Sequence, residues 1–315
     1  MDYFVKIELF IPTNRLGFNH YNFISTFAPI ISILLKMRKR FRLIVLMTIS
    51  LFIGLDDLSA QIPMPGTTED SVRHYFDSQP AFTIFKDNYL ITGFNPNQAI
   101  NAENADARFQ ISFKQRITKS VLPFKTYLFI TYTQASSWDI YKESAPFRTT
   151  DYNPGIGLGK ALIKNNELRG FAIFALEHKS NGYGGEDSRD MNWLSAYCQW
   201  FVGKRVSLEG KAYIPFYLGE HSKDIFRYHG FLDLGVNYIS PNQQFRASAI
   251  YSKTTDNAIS GNIKLEAGYM ISDLYNIYLF GQYYNGYAEN LLNHRTYTNH
   301  IRVGICFKPD FFSVH

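Results

Sequence analysis

Beyond Asp87, apolar side chains recur at every second position in segments of roughly ten residues, and no long 3.6-residue stripe replaces them. Between Ala107 and Arg116, Phe109, Ile111 and Phe113 alternate with Arg108, Gln110, Ser112 and Lys114. Val206, Leu208, Ala212, Ile214 and Phe216 stand in the same way against Ser207, Glu209 and Lys211, as do Ile301, Val303, Ile305 and Phe307 against Arg302 and Lys308. Successive strand side chains point to opposite faces, so each segment reads as a strand with one apolar and one polar face. Such segments fall near 88–94, 107–116, 124–135, 150–160, 168–180, 192–202, 205–217, 229–239, 244–253, 261–270, 275–287 and 298–308.

A soluble β-sandwich also alternates. Three features point elsewhere. The segments match the ~9–11 residues of a tilted membrane-crossing strand better than the ~5–6 of an ordinary one. Aromatic residues, 17% of the chain, crowd strand ends, as in Tyr127, Phe129 and Tyr132 or Tyr278, Phe280, Tyr283 and Tyr284, which suits interfacial girdles. An export signal accompanies them without a cysteine framework. The expected fold is all-β, a transmembrane antiparallel barrel of about twelve strands, the even number allowing antiparallel closure.

The export signal begins at Met37: Arg38-Lys39-Arg40-Phe41-Arg42, an apolar run from Leu43 to Leu55, then Leu58-Ser59-Ala60. That run is too short to span a membrane, which takes about 20 residues, and cleavage after Ala60 would leave Gln61 first. Either residues 1–36 are a long leader to the signal, or translation starts at Met37. The second is favoured, because Met37 opens a complete signal. The expected organisation is a presequence over 1–60, an amino-terminal extension without alternation over 61–86, and the barrel over 87–315.

Seven basic and four acidic residues in the first sixty account for +3 of the net +5, so the barrel is nearly neutral and the charge gives no case for nucleic acid. Cys198 and Cys306 have opposite facing by parity and should not pair; two cysteines exclude a disulfide scaffold or a cysteine zinc site.

The stretch that carries chemistry is Glu177-His178-Lys179-Ser180-Asn181-Gly182, continued by Ser188-Arg189 and Asn192. His178 and Ser180 are two apart, hence on one strand face, and that face continues the apolar Ala172, Phe174 and Leu176. Asn192 shares parity with Leu194, Ala196, Cys198 and Trp200. A hairpin with His178 opposite Asn192 sets Leu176 against Leu194 and Phe174 against Ala196, matching apolar partners throughout. A serine is a poor nucleophile until a histidine takes its proton, and the histidine needs a third group to hold its tautomer, which Asn192 could supply. Glu177 falls on the opposite face. Gly155, Gly157 and Gly159 lack the following helix of a dinucleotide loop, and the histidines outside this stretch lack metal-ligand spacing.

These residues resemble the signature of the outer-membrane phospholipase A family: His178-Lys179-Ser180-Asn181-Gly182, Ser188-Arg189 and Asn192 follow it without a gap. Tyr132-Thr133-Gln134, Trp138, Ser144 to Arg148 and Asn153-Pro154 resemble its earlier segments, and Gly286-Tyr287 with Arg302-Val303-Gly304 its closing strands. The resemblance covers most of residues 80–310. It implies a twelve-stranded outer-membrane barrel with a lipid-facing site that hydrolyses phospholipid acyl esters: Ser180 as nucleophile, His178 as general base, Asn192 as orienting residue. It also implies calcium, held by the Ser188 hydroxyl, the Tyr183 carbonyl and Ser144 of a second subunit, and an active homodimer with Gln134 at its interface. Tyr183 stands where the family often has Arg, Met191 replaces a common Trp, and the loop Gly184-Gly185-Glu186-Asp187 differs from its relatives. The alternatives are a non-catalytic barrel, a pore or wall protein, and a deacylase of another envelope lipid. Mixed lumen charges speak against an open channel.

Overall fold

The computed structural model describes residues 68–255, 260–273, 276–309 and 314–315. The presequence and residues 61–67 lie outside the described residues. The strands are β1 (Phe82–Ile84), β2 (Asn88–Phe94), β3 (Ala105–Arg116), β4 (Tyr127–Trp138), β5 (Phe147–Lys164), β6 (Glu167–Ser180), β7 (Asp190–Phe201), β8 (Val206–Leu218), β9 (Leu232–Ile239), β10 (Phe245–Lys253), β11 (Gly261–Ser272), β12 (Ile277–Gly286) and β13 (Thr298–Phe307). From β2 onward each is antiparallel to the next, and β13 returns to β2, Phe307 opposite Asn88. Strands β1 and β2 share one edge of β3, with Phe82 opposite Gln115 and Tyr89 opposite Gln110. They form one interrupted position, so the closed ring has twelve, with no open edge.

The interruption has a local cause. Phe85 and Asp87 are buried, the Lys86 N–H donates to Ser112 Oγ at 3.2 Å, and the Asp87 carboxylate pairs with Lys308. The Phe85 N–H still donates to the Ser112 carbonyl at 3.4 Å, and side-chain bonding replaces the ladder at Lys86 and Asp87, whose carbonyl accepts from Gln110 Nε2 at 2.8 Å.

The expected segments match the strands within a few residues, with two differences. The segment placed at 229–239 starts at Leu232, because Ile225–His229 form a short helix ended by Gly230 at φ 95°. The segment placed at 124–135 starts at Tyr127, because Pro123 opens a turn and Phe124 and Lys125 take left-handed φ values of 59° and 58°. Residues 69–78, silent to period-two reading, form helix α1 (Glu69–Ser78), whose Thr68 side chain caps the Ser71 N–H at 3.2 Å. Val72 packs with Leu168 and Phe201. The Arg116 guanidinium donates to the carbonyls of Phe76, Asp77 and Gln79 at 2.6, 2.9 and 2.8 Å, supplying donors that the helix end lacks. This end of the wall also carries the two-residue hairpin Asn165-Asn166, both left-handed.

The two faces of the wall differ as in a barrel whose outer solvent is lipid. Ile111, Leu208, Leu279 and Val303 are exposed outward, while Arg302 is 1% and Glu177 6% exposed. The inward charges are partnered: Arg302 Nε and Nη2 meet Asp106 at 2.7 and 2.9 Å, Lys211 meets Glu177 at 2.8 Å, and the Tyr197 hydroxyl donates to Glu209 at 2.8 Å. Cys198 is exposed, Cys306 is buried, and both are free thiols. The glycines of β5 face inward, where a Cβ on Gly159 would come within 2.4 Å of the Tyr127 ring. Their role is close packing of the rings of β4 against the wall.

Candidate active site

The β6–β7 hairpin has the register that its apolar pattern predicts: Phe174 opposite Ala196, Leu176 opposite Leu194, His178 opposite Asn192. Phe174 and Leu176 are exposed on the outer wall, and the intervening Ala175 and Glu177 are buried inside. His178 therefore stands on the lipid-facing side, at the end of an apolar stripe. Its Nδ1 lies 2.8 Å from Asn192 Oδ1. An amide oxygen only accepts, so this contact assigns the ring proton to Nδ1 and leaves Nε2 as the basic nitrogen. Ser180 lies two residues on, opposite Asp190 of β7 and Tyr152 of β5. No hydrogen bond joins its hydroxyl to His178 in this structure, an arrangement common where substrate is absent.

The backbone beneath His178 is held by a residue whose role sequence reasoning missed. The β5–β6 ladder pairs Gly155 with Glu177 and Tyr152 with Ser180, but not the two positions between. Pro154 has no N–H to give. The Asn153 side chain donates to the His178 carbonyl instead, at 2.8 Å. The Asn-Pro pair facing the strand that carries His178 and Ser180 was the available signal, and it needs the register before it can be read. On the inner side, Lys179 reaches Asp151 at 3.4 Å, and Asp151 accepts the Leu291 N–H at 3.1 Å.

The loop between β6 and β7 carries Tyr183 and Ser188. Four of its backbone carbonyls accept hydrogen bonds. Gly185 O accepts from the Ser188 N–H at 3.1 Å, Glu186 O and Ser188 O from Arg189 Nη1 at 2.6 and 2.8 Å, and Asp187 O from Asn181 Nδ2 at 2.8 Å. Among the described residues the Tyr183 carbonyl and the Ser188 hydroxyl, like the carbonyls of Gly182 and Gly184, take no protein donor and remain available as neutral oxygen ligands. Among the described residues no group of three His, Cys, Asp or Glu is placed to hold a metal ion. The donor set here is instead hydroxyl and carbonyl oxygen, which fits a hard cation such as calcium. Glu186 and Asp187 are both exposed to solvent.

Ser144 lies on a different loop, between β4 and β5, exposed and left-handed at φ 62°. No hydrogen bond joins it to Tyr183 or Ser188. Its loop is clasped by Trp138 Nε1 donating to the Ala145 carbonyl at 2.8 Å and by Asp139 pairing with Arg148 and, at 3.3 Å, with Lys142. Burial alone would raise the Asp139 carboxyl, but hydrogen bonding and charge from Arg148 and Lys142 outweigh it and hold the group below its ordinary value. The Tyr183 hydroxyl donates to the Arg148 carbonyl at 3.2 Å, linking the two loops. Gln134 sits on the outer wall of β4, opposite Ile111 and Tyr152, and accepts from the Tyr132 hydroxyl at 3.1 Å.

The Phospholipase A1 family model matches residues 77–307. The chain belongs to this family. Among phospholipase A1 relatives, that of Klebsiella pneumoniae is 30% identical over 66% of this chain and 71% of its own, and that of Proteus vulgaris 31% identical over 66% and 71%. A putative phospholipase A1 of Neisseria meningitidis is 27% identical over 65% of this chain, which spans 55% of that relative's length. Outer membrane phospholipase A from Escherichia coli has the same fold, with a TM-score of 0.63 and 24% identity over 71% of this chain and 93% of its own. So does the Salmonella typhi outer membrane phospholipase, a dimer with bound calcium, at 0.64 and 23% over 74% and 94%. The phospholipase A1 match contains the whole His178–Asn192 hairpin, and both solved relatives share its closed antiparallel wall.

Proposed function

We propose that this chain is a calcium-dependent phospholipase A of the outer membrane, exported by the signal at 37–60, which cleaves acyl esters of phospholipids at the A1 or A2 position and of lysophospholipids. The observation that carries the reading is the 2.8 Å contact of His178 Nδ1 with Asn192 Oδ1 on the lipid-facing side of the wall, with Ser180 on the same face two residues on. A phospholipid lying in the bilayer has its acyl chains along Phe174, Leu176 and Leu194 and its ester at the polar end where Ser180 stands. His178 Nε2 takes the Ser180 proton as Oγ adds to the ester carbonyl, and Asn192 keeps the ring in the tautomer that this transfer requires. The Ser180 backbone N–H donates to the oxyanion. Collapse gives an acyl-serine and the lysophospholipid, whose leaving oxygen receives the proton from His178. Water, deprotonated in turn by His178, releases the fatty acid.

The Ser188 hydroxyl and Tyr183 carbonyl of one subunit, with Ser144 of a second copy of the chain, are the oxygens that would hold calcium. When bound there, calcium supplies positive charge near the developing oxyanion. Such a shared site makes activity depend on a homodimer. Gln134 supports the interface, since an amide on an apolar wall gains a partner when two walls meet in lipid.

The test is fatty-acid release from mixed phospholipid micelles by the refolded protein, with calcium and with chelator. Calcium-dependent release that Ser180→Ala abolishes supports the reading; release undiminished in Ser180→Ala overturns it.

A further inference from the structure

Asn181 follows the proposed nucleophile, and its side chain is 2% exposed although it is fully polar. Its backbone N–H and both polar atoms of its side-chain amide are engaged. Its N–H donates to the Arg189 carbonyl at 3.0 Å, its Oδ1 accepts from the N–H groups of Arg189 at 3.0 Å and Tyr183 at 3.3 Å, and its Nδ2 donates to the Asp187 carbonyl at 2.8 Å. One side chain thus ties the loop at 183, 187 and 189, at Tyr183 itself and on either side of Ser188. Gly182 makes the reversal possible at φ 72°, where an added Cβ would also meet the Tyr152 ring at 3.0 Å.

The Tyr183 carbonyl and the Ser188 hydroxyl, which the calcium reading uses, are among the loop oxygens that this bracing leaves without a donor. A carbonyl and a hydroxyl are neutral ligands, and the exposed carboxylates Glu186 and Asp187 lie on the loop's solvent side. Affinity for a cation must then come from holding the neutral oxygens in place before it arrives, rather than from charge. We propose that Asn181 is a positioning residue that sets the calcium affinity of this loop, a proposal that rests on the calcium reading above. It touches neither substrate nor ion; it acts through the backbone of Tyr183, Asp187 and Arg189.

The experiment measures calcium binding by titration calorimetry on the refolded full-length protein and on Asn181→Ala, and in parallel the calcium dependence of fatty-acid release. Loss of such an outer-shell partner should weaken calcium half-saturation by about tenfold or more. The rate at saturating calcium should stay within about threefold, because binding and not the chemical step has been touched. A general collapse of the site would lower that rate as well, which overturns the proposal. So does an unchanged half-saturation. If Asn181→Ala does not refold to a heat-modifiable barrel, Asn181→Ser, which keeps one acceptor, should show a smaller shift in the same direction; no shift there overturns the proposal. Unmutated protein that binds no calcium overturns the calcium reading itself and this inference with it, whereas binding equal in protein and variant overturns this inference alone.

Discussion

Glu177 and His178 are neighbours in one strand and both polar, yet they live in opposite environments. Glu177 points into the barrel, where Lys211 sits 2.8 Å away and Ser195 donates to the same carboxylate. His178 points out towards lipid, where its ring is tied to Asn192. The inner residue belongs to a network in which its neighbours answer its charge, so its removal leaves a buried cation uncompensated. The outer residue stands at the tip of an apolar stripe, where a polar pair is exceptional and has no packing task. One peptide step separates a group paired inside the wall from one paired with Asn192 on its outer face.

That contrast can be broken most sharply from the outer side. Ser180→Ala should lower fatty-acid release by about 10⁴-fold or more while the heat-modifiable barrel still forms; a drop accompanied by lost folding would mean that the outer face also serves structure. From the inner side, Glu177→Gln should destabilise the barrel by about 3–5 kcal/mol, since it leaves Lys211 buried beside a neutral amide, with little change in turnover of the folded fraction. Urea unfolding in micelles beside an initial-rate assay separates the two effects.

Asn153→Ala tests the connection between the faces. It leaves the His178 carbonyl without a donor, for about 1–3 kcal/mol of stability, and it should lower turnover more than Glu177→Gln does. Equal turnover would show that Pro154 needs no substitute donor. Tyr183→Phe removes only the hydroxyl that reaches the Arg148 carbonyl at 3.2 Å, an exposed contact of about 0.5–1.5 kcal/mol, read as increased proteolysis of the two loops with catalysis kept. The smallest effect is acid-linked. Asp139 is held below its ordinary value of 3.8, so its contribution is present above that pH and fades as pH falls through the depressed value. Solvent screening limits it to about 1 kcal/mol. Protease nicking of the β4–β5 loop should therefore rise as pH falls below the ordinary value of 3.8 and be flat near neutral pH.

Much of this was legible in the chain. Period-two alternation marks which residues face lipid, and matching apolar partners along the β6–β7 hairpin is enough to set His178 opposite Asn192, because a one-residue slip would turn every side chain to the wrong face. The braces were not legible. Asn181 and Asn153 are ordinary polar residues until the loop closes and the ladder skips Pro154. Nor was the partner of Glu289 legible, whose carboxylate, between β12 and β13, meets Arg302, thirteen positions along, inside the wall. Helix α1 shows no alternation because helical side chains repeat every 3.6 residues, and the Arg116 bonds and the Val72, Leu168 and Phe201 contact that tie it to the barrel are encoded in no local pattern.

By itself, then, the sequence determined the kind of wall, the face on which each strand residue lies and the pairing of the hairpin that carries His178 and Asn192, since these follow from a period of two and from keeping apolar groups together. Only the tertiary structure decided which carbonyls were left without donors and which side chains came to supply them. Those partners are set by where the ring closes and where its loops fold back, and that depends on residues far apart in the chain.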